Sequence, residues 1–304
     1  MTILELIDAS AQQLVDAGVA FGHGTSNAFD EAAWLVLWQL GLPLDTPLDG
    51  PTNNPELTAN QTVDATQKVG VAGLLATRIN SRKPAAYLTR EAWLQGVPFY
   101  VDERCIVPRS FIAELLVNGS LDYWLSANTQ RVLDLCTGNA SLAIIAALTY
   151  PDVTVDASDL STDALAVARI NVDKHELQER IQLLTSDGLA SVQGPYDLIL
   201  CNPPYVNARS MAALPPEYQA EPALALDGNS AGGQDGMDFI HGLIRDAPQY
   251  MSESAVLVLE IGNEQAHFEA AFPQLETIWL ETSTSEDQVL LLTRKALLAH
   301  QPQL

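Results

Sequence analysis

The sequence predicts an α/β protein: a Rossmann-like domain on a mostly parallel sheet, preceded by a small helical domain. Three observations carry this. From Arg131 onward, short apolar runs alternate with segments of helical length, the pattern of a parallel sheet covered on both faces. The first run ends in a glycine-bearing turn, Cys136-Thr137-Gly138-Asn139, with a helix-like segment behind it. Before residue 84 the apolar positions recur at a period nearer 3.6 than 2.

In chain order, Leu4, Leu6, Ile7, Ala11, Leu14 and Val15 mark a first helix, and Phe29 to Leu40 a second. Ser26, Asn27 and Asp30 are candidate caps before the second helix, and Gly41 with Pro43 ends it. Leu42 to Pro55 is rich in Pro, Asp, Asn and Gly and reads as a loop. Thr58 to Ser81 reads as a third helix. Helical character ends at Pro84, so the expected division is a helical domain over residues 1–88 and a second domain over 89–304. Ala92 to Val107 reads as a hairpin turning at Gly96-Val97-Pro98, and Phe111 to Leu125 as a helix. Strands follow at Arg131 to Leu135, Thr154 to Ser158, Ile181 to Thr185, Tyr196 to Cys201 and Ala255 to Ile261. Helices fill Ala140 to Leu148, Thr162 to His175 and Met237 to Tyr250, and Val289 to Thr293 is a last strand.

The 304 residues carry 38 acidic and 15 basic side chains, a formal charge of −23. Phosphate backbones are held by Lys and Arg, and the largest basic cluster is Arg82-Lys83. No stable nucleic-acid binding is expected. A basic protein partner suits the field, and so does the plainer reading of a solvated acidic surface. No apolar run is long enough for a membrane span, and no export signal is visible. Cys105, Cys136 and Cys201 are too few and too scattered for a disulfide framework or a metal cluster, so no metal is expected and a reducing cytoplasm fits.

Three acidic residues close successive strands. Asp134 lies in Asp134-Leu135-Cys136-Thr137-Gly138-Asn139-Ala140, and Asp159 follows Gly138 by 21 residues, about the interval at which a carboxylate takes ribose hydroxyls. Asp187, in Ser186-Asp187-Gly188, is placed to accept from an adenine amino group, with Leu189 beside the base. Singly, each Asp is a turn or cap residue. Together they point to a nucleoside without phosphates, because clustered negative charge repels a pyrophosphate. The glycine fingerprint itself is thin, with Ala140 where a further glycine is expected.

The run Tyr196 to Cys201 leads directly into Asn202-Pro203-Pro204-Tyr205. Two prolines stiffen that loop. The Asn202 side-chain carbonyl and the Pro203 backbone carbonyl can each accept one N–H of a planar amide or amino group, orienting its lone pair for methyl transfer, while Tyr205 packs on the flat group. The rival reading of a tight Pro-Pro turn with a core tyrosine fits poorly with an acid-tipped sheet. This chemistry does not separate a glutamine amide from an adenine amine.

On these residues the chain resembles the protein-glutamine methyltransferases of the HemK, PrmC and PrmB family over essentially its whole length. The resemblance implies a class I S-adenosylmethionine-dependent methyltransferase domain with one antiparallel strand near its end. It also implies that Asn202, Pro203, Pro204 and Tyr205 hold the glutamine. Asp134, Cys136, Thr137 and Gly138 would surround the methionine part of the cofactor, Asp159 and Leu160 the ribose, and Asp187 and Gly188 the adenine, with Asn202 also at the cofactor. Phe21-Gly22-His23-Gly24-Thr25, Asp30-Glu31-Ala32-Ala33-Trp34, Pro84-Ala85-Ala86-Tyr87-Leu88-Thr89, Val107-Pro108-Arg109-Ser110 and Glu221-Pro222-Ala223-Leu224-Ala225-Leu226 resemble most the branch acting on large-subunit ribosomal protein three. The helical domain would then recognise that protein. Ala140 in place of a family glycine is expected to narrow the cofactor pocket, and Phe111 stands where the branch often has Pro. His23 reads as a structural loop residue. Release-factor glutamine methylation, adenine-N6 methylation and a non-catalytic assembly role are the alternatives.

Overall fold

The computed structural model describes residues 1–49 and 58–300, so residues 50–55 of the expected Leu42 to Pro55 loop lie outside the described residues. The chain divides into two compact units, Met1–Ala92 with Leu214–Ala220, and Trp93–Ala213 with Glu221–Leu304.

The first unit is built on α1 (Ile3–Asp16), α2 (Ala28–Gln39), α3 (Ala65–Ser81) and α4 (Ala85–Thr89). Each of the first three starts where a side chain satisfies an otherwise unpaired amide. Thr2 and Glu5 form a capping box on α1, and Asn27 Oδ1 accepts from the Asp30 amide at 3.0 Å. The expected third helix from Thr58 is corrected: Thr58–Asn60 is a 3-10 turn, and α3 begins after Asp64, whose capping box with Gln67 fixes the start.

At the centre of this unit Arg78, fully buried, donates from Nε to Glu31 Oε1 (2.8 Å) and from Nη2 to the Ala20 carbonyl (3.1 Å). Glu217, from the returning segment, lies 3.5 Å from Arg78 and 3.2 Å from Arg82. Burial pushes the Glu31 carboxyl up, and Arg78 opposes the shift. His23, also buried, stacks on Tyr218 with ring centroids 4.2 Å apart, a packing role.

The chain passes into the second unit at a hairpin of β1 (Ala92–Leu94) and β2 (Val97–Phe99). Its turn is Gln95-Gly96, φ +50 and +75, and not the expected Gly96-Val97-Pro98: the two successive left-handed residues suit a tight hairpin turn, and proline cannot take a positive φ. The hairpin ends at Phe99, short of Val107. The expected helix from Phe111 to Leu125 also contracts, to α5 (Ile112–Val117) and a separate 3-10 turn at Asp122–Trp124.

Then come β3 (Arg131–Leu135), α6 (Ser141–Thr149), β4 (Thr154–Asp159), α7 (Thr162–Lys174), β5 (Ile181–Thr185) and β6 (Tyr196–Cys201). Next are α8 (Ala208–Ala212), α9 (Pro216–Gln219, in the segment returned to the first unit), α10 (Asp238–Asp246) and β7 (Met251–Glu260). The last are α11 (Gln265–Ala271), β8 (Ile278–Leu280), β9 (Val289–Thr293) and α12 (Arg294–His300).

The seven strands are ordered β5-β4-β3-β6-β7-β9-β8, with β9 antiparallel to both neighbours. This is the Rossmann-like sheet with one antiparallel strand that the sequence predicts. Successive strand residues serve opposite faces. Val132, Leu198 and Leu200 join the core under α5, α6 and α7, while Leu133, Ile199 and Cys201 join the core under α10, α11 and α12. Because β3 pairs with β4 on one side and β6 on the other, the strand order reverses there, and the crevice beyond the carboxyl ends of β3 and β6 is where such a sheet binds ligands. No described helix is long and apolar enough to cross a membrane.

Candidate active site

A cavity of about 400 Å³ opens at that reversal. It is lined by Asp134, Cys136, Thr137, Gly138 and Asn139 at and beyond the end of β3, by Ser158, Asp159 and Leu160 at the end of β4, and by Asp187 and Gly188 after β5. Asn202 and Pro204 after β6 complete the floor, and Arg109, Ser110, Pro222, Leu224 and Phe239 contribute the remaining walls. All belong to the second unit. A groove of about 710 Å³ runs past Arg131, Arg169 and Arg180, two of whose guanidinium groups are engaged within the protein. Arg180 donates to the carbonyls of Ala147, Tyr150 and Val153, and Arg131 to Asp156, Gln193 and Pro195.

The loop after β3 is left-handed at every second residue, with φ +61 at Cys136, +57 at Gly138 and +65 at Ala140. The glycine fingerprint that is thin in sequence is therefore intact in conformation. Asp134 organises the loop: its Oδ2 accepts from the Thr137 hydroxyl and from the Ala143 amide (3.0 Å), closing an open position in the first turn of α6. Asp134 Oδ1, Asn139 Nδ2 and Ser158 Oγ are buried without a hydrogen-bond partner among the described residues, and all three residues line the cavity. A buried acceptor and a buried donor on residues of one cavity suit the ammonium and carboxylate of an amino-acid moiety. Burial pushes the Asp134 carboxyl up to about 7, against the pull of its hydrogen bonds and with help from Asp159. A cation set beside it reverses that shift.

Asp159 Oδ2 accepts from the Gly138 amide (2.8 Å) and Oδ1 from the Ser161 amide (2.8 Å). Each carboxylate oxygen has a second lone pair, so the side chain can still receive a pair of hydroxyls. Burial raises its pKa despite these bonds. Asp187 is exposed at the rim, and the Phe239 ring lies near Gly188, where an added Cβ would be 3.6 Å from Cε2. Leu189, expected beside a base, is instead buried in the core on the α10 face, and Phe239 provides the apolar wall.

Ala140 is corrected as well. Its methyl is fully buried in the core on the α6 face and does not line the cavity. Ala140→Gly should leave cofactor affinity within about twofold, because the removed methyl faces away from the pocket. Relief of left-handed strain opposes the lost burial and the added chain entropy, so stability should change by less than about 1 kcal/mol. Titration calorimetry and thermal melting read both. Phe111 has φ −69, compatible with the Pro of the branch, but its amide donates to Glu260 Oε2 (2.9 Å), a bond a proline cannot make.

In the loop after β6, the Asn202 side chain enters no hydrogen bond among the described residues and faces the cavity with Pro204. Pro203 is buried. Tyr205 turns away from the cavity lining and packs on Gly262, where an added Cβ would sit 2.7 Å from the ring. Two segments singled out in the sequence form one wall: Arg109 grips Glu221 with both Nη atoms (2.6 and 2.7 Å), and the Val107 amide donates to the same carboxylate (2.9 Å). Sequence reasoning missed Asn139, Ser158 and Phe239 as cavity residues. Asn139 lies inside the motif, whereas Phe239 carried no signal apart from the helical pattern of α10.

The family described as "MTS: Methyltransferase small domain" matches residues 114–217. The chain is 51% identical over 299 residues, 97% of its own length and 96% of the relative's, to the ribosomal protein uL3 glutamine methyltransferase of Bordetella pertussis. It is 45% identical over 302 residues to the protein of that name from Neisseria gonorrhoeae, covering 99% of this chain and 97% of the relative. Among solved structures, the catalytic domain of human Mettl16, in complex with an RNA hairpin, superposes with a TM-score of 0.50 at 13% identity over 76% of this chain and 81% of that one, a likeness of fold.

Proposed function

Because the chain belongs to the ribosomal protein uL3 glutamine methyltransferase family, we propose that it transfers a methyl group from S-adenosylmethionine to the side-chain amide nitrogen of a glutamine in ribosomal protein uL3. The observation that supports this reading most directly is the single cavity that gathers three strand-end carboxylates and the unengaged Asn202 amide. S-adenosylmethionine bound there supplies an electrophilic methyl group on a sulfonium, with a neutral thioether as leaving group.

Asp134 Oδ1 and Asn139 Nδ2 receive the amino-acid end, Asp159 the ribose hydroxyls, and Asp187 with Phe239 the base. Cys136, Thr137, Gly138, Leu160 and Gly188 shape the walls around them. Asn202 Oδ1 and the Pro203 carbonyl accept the two amide N–H groups of the glutamine, which turns its nitrogen lone pair toward the methyl group. Pro204 and Tyr205 keep that loop stiff and dry. The amide nitrogen becomes acidic once methylated, so its proton can leave to solvent without a strong base.

The first unit recognises the protein carrying the glutamine, because a site built for one amide reads little else. The charge of −23 favours a basic ribosomal protein and disfavours bare nucleic acid. The cytoplasm, where that substrate is made, is the place of action. The test is to incubate undermethylated ribosomal proteins, release factors and RNA with methyl-labelled cofactor and locate the label by mass spectrometry. We expect one labelled glutamine in uL3. Label on a release factor or on RNA, with none on uL3, overturns the reading.

A further inference from the structure

Among the described residues lining the cavity, four are aspartates, Asp134, Asp159, Asp187 and Asp227, and two carry a guanidinium, Arg104 and Arg109. S-adenosylmethionine has one anionic group, the carboxylate of its amino-acid end, and a wall of aspartates repels it unless a cation stands opposite. Arg109 is taken, with both Nη atoms on Glu221. Arg104 keeps part of its guanidinium open. It donates from Nε and Nη2 to Asp102, at 2.9 and 2.6 Å, whereas Nη1 donates to no described residue. Its side chain is 39% exposed, against 6% for the carboxylate that holds it.

Asp102 also accepts from the Arg104 amide (3.1 Å) and from the Tyr100 hydroxyl (2.9 Å). These bonds, those from the Arg104 side chain foremost, lower the Asp102 carboxyl to about 2, so the pair stays ionised. One edge of the guanidinium is thereby fixed and the other left open, a geometry that meets a further carboxylate. Asn171, fully buried, shows where this stretch of chain lies. Its Oδ1 accepts from the Tyr100 amide at 2.7 Å, and its Nδ2 donates to the Tyr100 and Asn139 carbonyls, each at 3.0 Å. A single side chain thus ties the start of the Arg104 segment to Asn139, whose own Nδ2 is a buried donor without a described partner.

We propose that Arg104, held by Asp102, binds the carboxylate of the amino-acid end of S-adenosylmethionine and makes that carboxylate a requirement for tight binding. The inference rests on the reading of this cavity as the S-adenosylmethionine site. Asn139 supplies a neutral donor there and Arg104 the opposing charge. Asp102 touches Arg104 and is a positioning residue for it.

The test is calorimetric binding of S-adenosylmethionine and of its decarboxylated form, which differ by that one carboxylate. The proteins compared are the wild type, Arg104→Gln, Arg104→Lys and a double variant combining Asp102→Asn with Arg104→Gln. Arg104→Gln should weaken S-adenosylmethionine binding by about tenfold, the worth of a charge-assisted hydrogen bond at a part-exposed site, and leave the decarboxylated form within about twofold. The double variant should show the same selective loss, which excludes repulsion from an Asp102 left without its cation. Arg104→Lys keeps the charge without the planar fork, and its selective loss should be smaller. Losses of equal size on both ligands overturn the proposal, and so does an unchanged affinity for both. A raised KM for uL3 with unaltered cofactor binding also overturns it, by giving Arg104 to the protein substrate. Should Arg104→Gln fail to fold, the ratio of the two affinities in Arg104→Lys decides: a ratio equal to the wild type's overturns the proposal, a reduced one supports it. A wild type that binds neither ligand would instead sink the cofactor reading itself.

Discussion

Replacing Asn202 with alanine is expected to lower methyl transfer by about 100-fold or more while the cofactor dissociation constant stays within about threefold. The asymmetry follows from placement. The groups suited to the cofactor's polar ends sit after β3, β4 and β5, whereas Asn202 alone offers an unengaged side-chain amide after β6. An amide nitrogen is a weak nucleophile, and its alignment counts for more than its capture. Because the side chain bonds to no described residue, its loss disturbs no internal network, and the melting temperature should hold. Single-turnover methylation with calorimetric cofactor binding reads the two quantities separately. A variant that turns over at the wild-type rate removes Asn202 from the mechanism.

The second large effect is expected at Asp159. Asp159→Ala should weaken cofactor binding by about 100-fold, the worth of roughly two hydrogen bonds from hydroxyls to a charged acceptor. Part of the loss comes from the protein itself, since the Gly138 and Ser161 amides also lose their acceptor. Asp159→Asn separates the contributions: it keeps one acceptor oxygen but turns an NH2 toward an N–H, so its affinity should fall between the two. Binding of a cofactor analogue lacking the ribose hydroxyls supplies the control, because Asp159→Ala should weaken it only by the protein's own share of the loss. Equal losses for both ligands would place Asp159 in loop support alone.

The strands were legible because β3, β6, β7 and β9 carry buried apolar runs, and the shorter, mixed β4 and β5 fall at regular intervals between them. Ile278-Trp279-Leu280 escaped because three half-buried residues at a sheet edge carry no periodicity. Asp134, Asp159 and Asp187 could be read from spacing, since each is fixed by its own strand. Leu189 and Ala140 could not, because which way a side chain turns at a left-handed or 3-10 bend depends on the backbone beyond the motif. Arg78 and Glu31 have the look of solvent-facing helix charges. Their burial depends on Glu217, 139 residues from Arg78, and no local window contains that information.

The same segment bears on how such a chain can change over generations. The stretch Leu214–Ala220 completes the helical unit although it is encoded after the Asn-Pro-Pro-Tyr loop. A recombination joint at the first crossing near Ala92 would strand Arg78 without Glu217, and Tyr218 would leave His23 uncovered. Breaking one partner from a buried charge pair costs about 3–5 kcal/mol, a large share of a domain's stability. The helical unit therefore cannot be exchanged as a simple cassette. Change in this unit must instead accumulate residue by residue, with Leu214–Ala220 inherited alongside the helices it completes.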